Sequence, residues 1–334
     1  MVLEIKEFEQ PALQAFIAEA PITKEHRLAK CYPVEQVDEI SSVYDLVTNQ
    51  KIVAGSIVGF NAGTPVRTKG EAKQAVAKLT KIAHAYHLDE EDMFKFRNPR
   101  NDEERQRIID RTLLSTAELS EGIEDTKELI RAELTYRGRF NYEDKRDNVK
   151  IQFELERPDG NDMTATTKWS DTANSTPLSD IEAAIAQYKL TNGNKEPDYI
   201  VMTEATYALF KRSKQVKDEL YRDGLQPRII KDGEIADLFE SNGYPTLEIE
   251  KGFTTLENAD GTTYDVAHLE DNKFVLHAAI MGATLSGPAA ENNFAKGKFA
   301  YRVISQDPIG EKTIVGEVTL PVSKNFNGNV IVTV

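Results

Sequence analysis

Cysteine is almost absent from this chain: Cys31 is the only one in 334 residues. That excludes intrachain disulfides and thiolate metal clusters. As a nucleophile Cys31 would need a base, and His26 is its neighbour in sequence; a small, semi-buried side chain is the simpler reading. Long apolar runs are missing too. No stretch approaches the roughly 20 residues that a membrane-spanning helix requires. The opening MVLEIKEFEQ is too acidic for a secretory signal, so a cytoplasm-like compartment is expected. Basic residues fall short of acidic ones, 41 against 55, for a formal net charge of −14. A surface that neutralises nucleic-acid phosphates or grips an anionic membrane needs the opposite balance.

The signatures of chemistry are missing as well. There is no GxxxxGK[ST] phosphate loop, no GxGxxG after a strand, no GxSxG elbow and no HExxH pair. His84 and His87 lie near Asp89, Glu90 and Glu91 but have no third well-spaced ligand, so surface or half-buried histidines are expected. His268 and His277 stand alone. Asp159-Gly160-Asn161-Asp162 resembles a fragment of a calcium loop without its bidentate glutamate, and reads as a turn. No catalytic residue, cofactor or metal is expected.

Proline is absent from one further place, and there the absence is constructive. Almost all residues from Asp102 to Arg137 are good or tolerable helix formers, with Gly122 as the interruption. Ile109, Leu113, Thr116, Ser120, Ile123, Ile130 and Leu134 fall near a helical repeat, with charges elsewhere. At about 1.5 Å per residue such a helix spans roughly 50 Å, more than one small domain. It must lie across a sheet or a neighbouring subunit.

The remaining chain supplies the parts around it. PALQAFIAEAP reads as a short helix with Leu13, Phe16, Ile17 and Ala20 on one stripe. KIVAGSIVGF (Lys51–Phe60) reads as a strand before a Gly- and Pro-rich loop, and the return to Leu88 suits strand or helix equally. That hairpin carries Arg67, Lys69, Lys73, Lys78 and Lys81, a basic cluster in an acidic protein. Val149–Leu155 alternates as a strand. Pro177 to Asp271 alternates strand and helix as an α/β lobe, with Ser179 and Glu182 at capping-box spacing. The last sixty residues switch to strands with almost no helix signal, and together with Val149–Glu156 they are expected to floor the long helix.

In this order the parts resemble the capsid proteins of tailed bacteriophages. The texts that carry the likeness are ERQRIIDRTLLSTAELSEGIEDTKELIRAELTYRGRF, KWSD at Lys168–Asp171, DYIVMTEATYALFKRSKQVKDEL and the closing SQDPIGEKTIVGEVTLPVSKNFNGNVIVTV. More narrowly, the chain is similar to the lambda-like major capsid proteins, the phage major capsid protein E family. The resemblance implies an α+β, Hong Kong 97-type capsid fold. Its expected divisions are an N-terminal arm and connector (1–49), an E-loop hairpin (50–95), a P domain with the spine helix (96–176), an A domain (177–271) and C-terminal strands returning to the P-domain sheet (272–334). It further implies a shell of hexamers and pentamers around double-stranded DNA, bound without sequence specificity. A separate scaffolding protein, a portal protein and a small trimeric decoration protein are the implied partners, with assembly in the host cytoplasm and residence in the virion. Contacts between subunits are expected at Arg67, Lys69 and Lys73 on the loop tip, then at Leu13, Phe16 and Ile17 on the arm. Two other readings are an encapsulin-like shell holding protein cargo and a soluble α/β enzyme built on Pro177–Asp271.

Overall fold

The computed structural model describes residues 9–20, 22–46, 74–88, 90, 93–94, 99, 101–144, 149–221, 230–258, 260–306 and 309–334. The strand expected at Lys51–Phe60 and the basic side chains Arg67, Lys69 and Lys73 lie outside the described residues.

Among the described residues the chain opens with helix α1 (Gln10–Glu19), a 3₁₀ turn (Arg27–Cys31) and strands β1 (Val34–Gln36), β2 (Ser41–Asp45), β3 (Gln74–Lys78) and β4 (Thr80–Leu88). The long helix α2 (Asp102–Ala132) follows and runs into a π-helical turn, Glu133–Arg137. Then come β5 (Arg139–Asp144), β6 (Val149–Glu154) and β7 (Asp162–Thr164). The α/β stretch holds α3 (Pro177–Thr191), β8 (Tyr199–Thr203), α4 (Glu204–Arg212), α5 (Lys214–Leu220), α6 (Asp232–Ser241), β9 (Thr246–Glu250), β10 (Phe253–Glu257) and β11 (Thr263–Ala267). The chain closes with β12 (Lys273–His277), β13 (Gly282–Ser286), β14 (Phe299–Gln306), β15 (Ile309–Ser323) and β16 (Asn329–Thr333).

These elements form two compact units. The first comprises Met1–Val43, Val76–Arg131 and Ala283–Val322. Its sheet runs β1-β13-β15-β14, with β4 also paired to β15. Helix α2 lies on this sheet through Ile109 and Ile123, which share a core with Leu88, Ala300 and Val315. Thr112, Thr116 and Ser120 are also buried on the helix, and two of their hydroxyls donate back to its own carbonyls, Thr112 Oγ1 to Ile108 and Thr116 Oγ1 to Thr112. Self-satisfied small side chains let the helix approach the strands closely. The ambiguous return after the hairpin is a strand. β4 pairs antiparallel with β15 from Leu88↔Glu311 to Thr80↔Thr319, turning Ile82, Tyr86 and Leu88 toward the core.

The second unit comprises Tyr44–Ala75, Ala132–Gly282 and Ser323–Val334. Its sheet runs β7-β16-β12-β8-β9, with α3 to α6 supplying Leu178, Ile181, Phe210, Val216 and Phe239 to its core. Trp169 is fully buried there. Its ring stacks on Phe274 at 5.4 Å, and its Nε1 donates to Asp180 Oδ2 at 2.8 Å. Helix α4 is capped by Thr203, whose Oγ1 accepts from the Thr206 N–H. Helix α3 is not capped in this way: Thr176 is its N-cap without a side-chain bond, and Gln215 Oε1 takes the Leu178 N–H instead.

Two expectations about the floor need correction. Among the described residues Val149–Glu154 pairs only with β5, in a separate two-stranded antiparallel ribbon. The C-terminal strands also divide, and the boundary expected at 271–272 does not separate them. β14 and β15 join the first unit, whereas β12 and β16 pair with β8 and with each other in the second. Burial explains the division: Phe274, Val275 and Leu276 are all fully buried, the mark of a central strand covered on both faces.

Gly138 ends the helical run in the left-handed region, φ 64°, and a Cβ there would lie 2.7 Å from Arg157 Nη1. Gly138→Ala is expected to cost about 1–3 kcal/mol, measured as a shift in urea midpoint at unchanged slope.

Candidate functional site

Helix α2 gathers many of the charged contacts of the first unit. The second half of the helix carries Glu121, Glu124, Asp125, Lys127, Glu128 and Arg131. Read along the sequence they form a wet, charged face. In the structure most of them are taken up within the first unit. Lys127 Nζ bridges Glu124 Oε1 at 2.6 Å and Glu317 Oε2 at 2.9 Å, with the Lys127 and Glu317 side chains only 5% and 7% exposed. Lys298 reaches Glu124 Oε1 at 2.9 Å and Ser120 Oγ at 3.0 Å. Arg131 pairs with Glu128 at 3.0 Å and donates to Thr284 Oγ1. Burial would raise the Glu124 carboxyl, but the adjacent Lys127 and Lys298 outweigh it and hold the group at about 2.

The N-terminal segment is laid along the same helix. Thr23 Oγ1 and the Lys24 N–H donate to Glu121 Oε1 at 2.6 and 2.9 Å. Lys24 Nζ and His26 Nε2 meet Asp125, and the Leu28 N–H donates to Glu128 Oε1 at 2.6 Å. β1 then pairs in parallel with β13, Val34 opposite Thr284. Farther up, Leu13 and Ile17 of α1 are buried in the core beneath α2, with Phe16 packed beside them. The arm face suggested for a neighbouring subunit is thus seated in the chain's own core, because its i, i+4 stripe finds apolar partners on β14 and β15.

The first unit also leaves several large apolar side chains open. Val34, Ile40, Val43, Val76 and Phe294 are all more than half exposed, Phe294 to 72%. Phe294 also holds a left-handed backbone, φ 62°, uncommon for a bulky residue. Its loop is fixed to the rest of the unit by Lys296 Nζ to Asp38 Oδ1 at 2.6 Å and by the Lys81–Glu291 pair.

The remaining sequence candidates fall where plain structure needs them. Cys31 is buried just beyond residues 22–28, the strap laid along α2, and His26 within that strap is bound to Asp125. His84 and His87 lie on strand β4, and among the described residues no group of three His, Cys, Asp or Glu side chains could hold a metal. Asp159-Gly160-Asn161-Asp162 is a turn, with Asp162 paired to Arg157 at 2.7 Å. In the second unit a polar cavity of about 450 Å³ is lined by Arg137, Arg139, Arg157, Glu154, Asp159 and Asp162 among others. Its charges balance: Arg139 stands opposite Glu154 in the β5–β6 register, and Arg157 is taken by Asp162 and Asn329. No helix among the described residues is long and apolar enough to cross a membrane.

The profile of the family described as phage major capsid protein E matches residues 42–334. The chain belongs to this family. No curated protein sequence matches it, and the resemblance to solved structures is one of fold at low identity. A protein described as a prophage capsid protein of Escherichia coli CFT073 superposes with a TM-score of 0.63 at 15% identity, over 98% of this chain and 99% of that one. A phage-related protein of Bordetella bronchiseptica RB50 gives 0.52 at 10% identity, over 98% and 97%. The capsid of Myoviridae phage XM1 gives 0.50 at 11%, over 94% of each chain. The fold is therefore the Hong Kong 97-type capsid fold, mixed α+β around a long spine helix. The protein is a structural component of the virion, the major capsid protein of a tailed phage, and self-assembles into an icosahedral shell.

Proposed function

We propose that copies of this chain join as hexamers and pentamers, with the segment bearing Arg67, Lys69 and Lys73 reaching onto an acidic surface of a neighbouring copy. The observation that carries this reading is where the apolar surface is left uncovered. Of the large apolar side chains exposed among the described residues, ten belong to the first unit and three, Leu190, Phe253 and Ile280, to the second. Exposed apolar side chains gathered on one unit suit burial by neighbours. Charge supports the same reading, since a basic loop on a chain of net charge −14 finds its complement on another copy.

The acidic balance also suits a container that encloses double-stranded DNA without gripping it. In this reading a separate scaffolding protein directs assembly in the host cytoplasm, a portal protein occupies the closed shell, and a small trimeric protein decorates it. The charge reversal Lys69→Glu/Lys73→Glu is expected to leave a folded, soluble chain that no longer sediments as particles. Particles in normal yield from that variant would remove the loop from the contact.

A further inference from the structure

The geometry points to an acid-labile latch: residues 22–28 are clasped to α2 by Glu121, Asp125 and Glu128, and opening them uncovers Cys31.

Between Ile22 and Glu25 the strap is exposed, so little apolar burial holds it down. Its attachment is polar and one-sided. Three successive turns of α2 present a carboxylate each, at i, i+4 and i+7, the spacing of one helix face. Glu121 accepts from Thr23 and Lys24, Asp125 from Lys24 and His26, and Glu128 from the Leu28 N–H. Apolar anchoring begins only with Leu28, Cys31 and Tyr32, each almost wholly buried. The Leu28 N–H belongs to the 3₁₀ turn Arg27–Cys31, so the last clasp and the thiol share one short element.

Asp125 is the central clasp. Lys24 and His26 face it from the strap. Glu121, Glu124 and Glu128 flank it on its own helix, and Lys298 and Glu317 stand beyond, joined through Glu124 and Lys127. Burial would raise its carboxyl, yet the bonds from His26 and Lys24 hold it below the ordinary carboxylate value. A carboxyl depressed in the folded state stabilises above its unfolded pKa, and that contribution is lost as pH falls through the folded one. The latch is therefore shut at neutral pH and loosens as pH falls through the carboxylate range. Release is local, since the apolar face of α2 and its sheet do not depend on the strap's charges.

The sole cysteine makes the test direct. The full chain is treated with a dithiodipyridine reagent, which still attacks thiols in acid, and rates are divided by those of the denatured chain at the same pH. The wild-type ratio is expected to be low at pH 7 and to rise as pH drops below about 4. Asp125→Asn is expected to label about tenfold faster at pH 7, from the loss of a charged hydrogen bond, with an unchanged circular dichroism spectrum. Should Asp125→Asn fail to fold, Lys24→Gln breaks the same clasp from an exposed side chain and decides alone. Labelling that matches wild type in the folded variants, or a wild-type ratio that does not rise in acid, overturns the latch.

Discussion

Replacing Lys127 with alanine is expected to destabilise the first unit by about 3–5 kcal/mol. The ammonium sits between two buried carboxylates, 2.6 Å from Glu124 and 2.9 Å from Glu317. Without it Glu317 keeps a hydroxyl, Ser286 Oγ at 3.2 Å, and Glu124 keeps only Lys298 as a cation. An uncompensated buried charge costs far more than the net worth of the pair, so the control is informative. Lys127→Met combined with Glu317→Gln removes charge from both sides and is expected to recover much of the loss. Urea midpoints of the two variants, at equal slopes, measure the difference. Acid titration adds a sign. Glu124 is held at about 2 against an ordinary 4.5, so its stabilisation is present above the ordinary value and lost as pH falls through about 2. In Lys127→Ala the acid unfolding transition is expected at higher pH than in wild type.

Trp169→Ala is expected to cost the second unit a comparable amount, about 3–5 kcal/mol. Trp169 is the largest fully buried side chain, set between Phe274 at 5.4 Å and Phe210 at 5.8 Å. Its removal opens a cavity beneath the β12–β8 centre of the sheet and takes the indole donor from Asp180. Burial already pushes that carboxyl up, and the Trp169 N–H is what opposes the rise. Trp169→Phe separates the two effects. It retains most of the ring and loses the hydrogen bond, for an expected cost of about 1–3 kcal/mol. Circular dichroism in urea measures both, since each variant loses the only tryptophan fluorophore.

Helix α2 shows what a one-dimensional pattern records well. Its span and buried stripe were legible because Ile109, Thr116, Ser120, Ile123, Ile130 and Leu134 repeat with the helix and are all buried. The fate of its charges was not legible. Glu124, Lys127, Glu128 and Arg131 have the i, i+3 spacing of any solvated helix face, and their partners Leu28, Thr284, Lys298 and Glu317 lie about 100 to 190 residues away. The same limit hid the allocation of the C-terminal strands. β12 and β15 both read as strands, and only pairing assigns one to β8 and the other to β4. The strand and helix readings of residues 72–88 balanced because Ile82 and Tyr86 satisfy either period, and pairing with β15 decides for the strand. The exposure of Val34, Ile40, Val43, Val76 and Phe294 carries no periodic mark at all. It is visible only once the rest of the chain has been packed and these side chains remain outside.

The central claim is that this chain closes into shells. Electron microscopy of the folded, full-length chain, expressed alone and alongside the scaffolding protein proposed above, tests it most directly. Closed hollow particles with icosahedral symmetry are the expected result, with Val34, Ile40, Val76 and Phe294 buried between copies. A folded chain that stays monomeric or in small oligomers under both conditions would contradict the account.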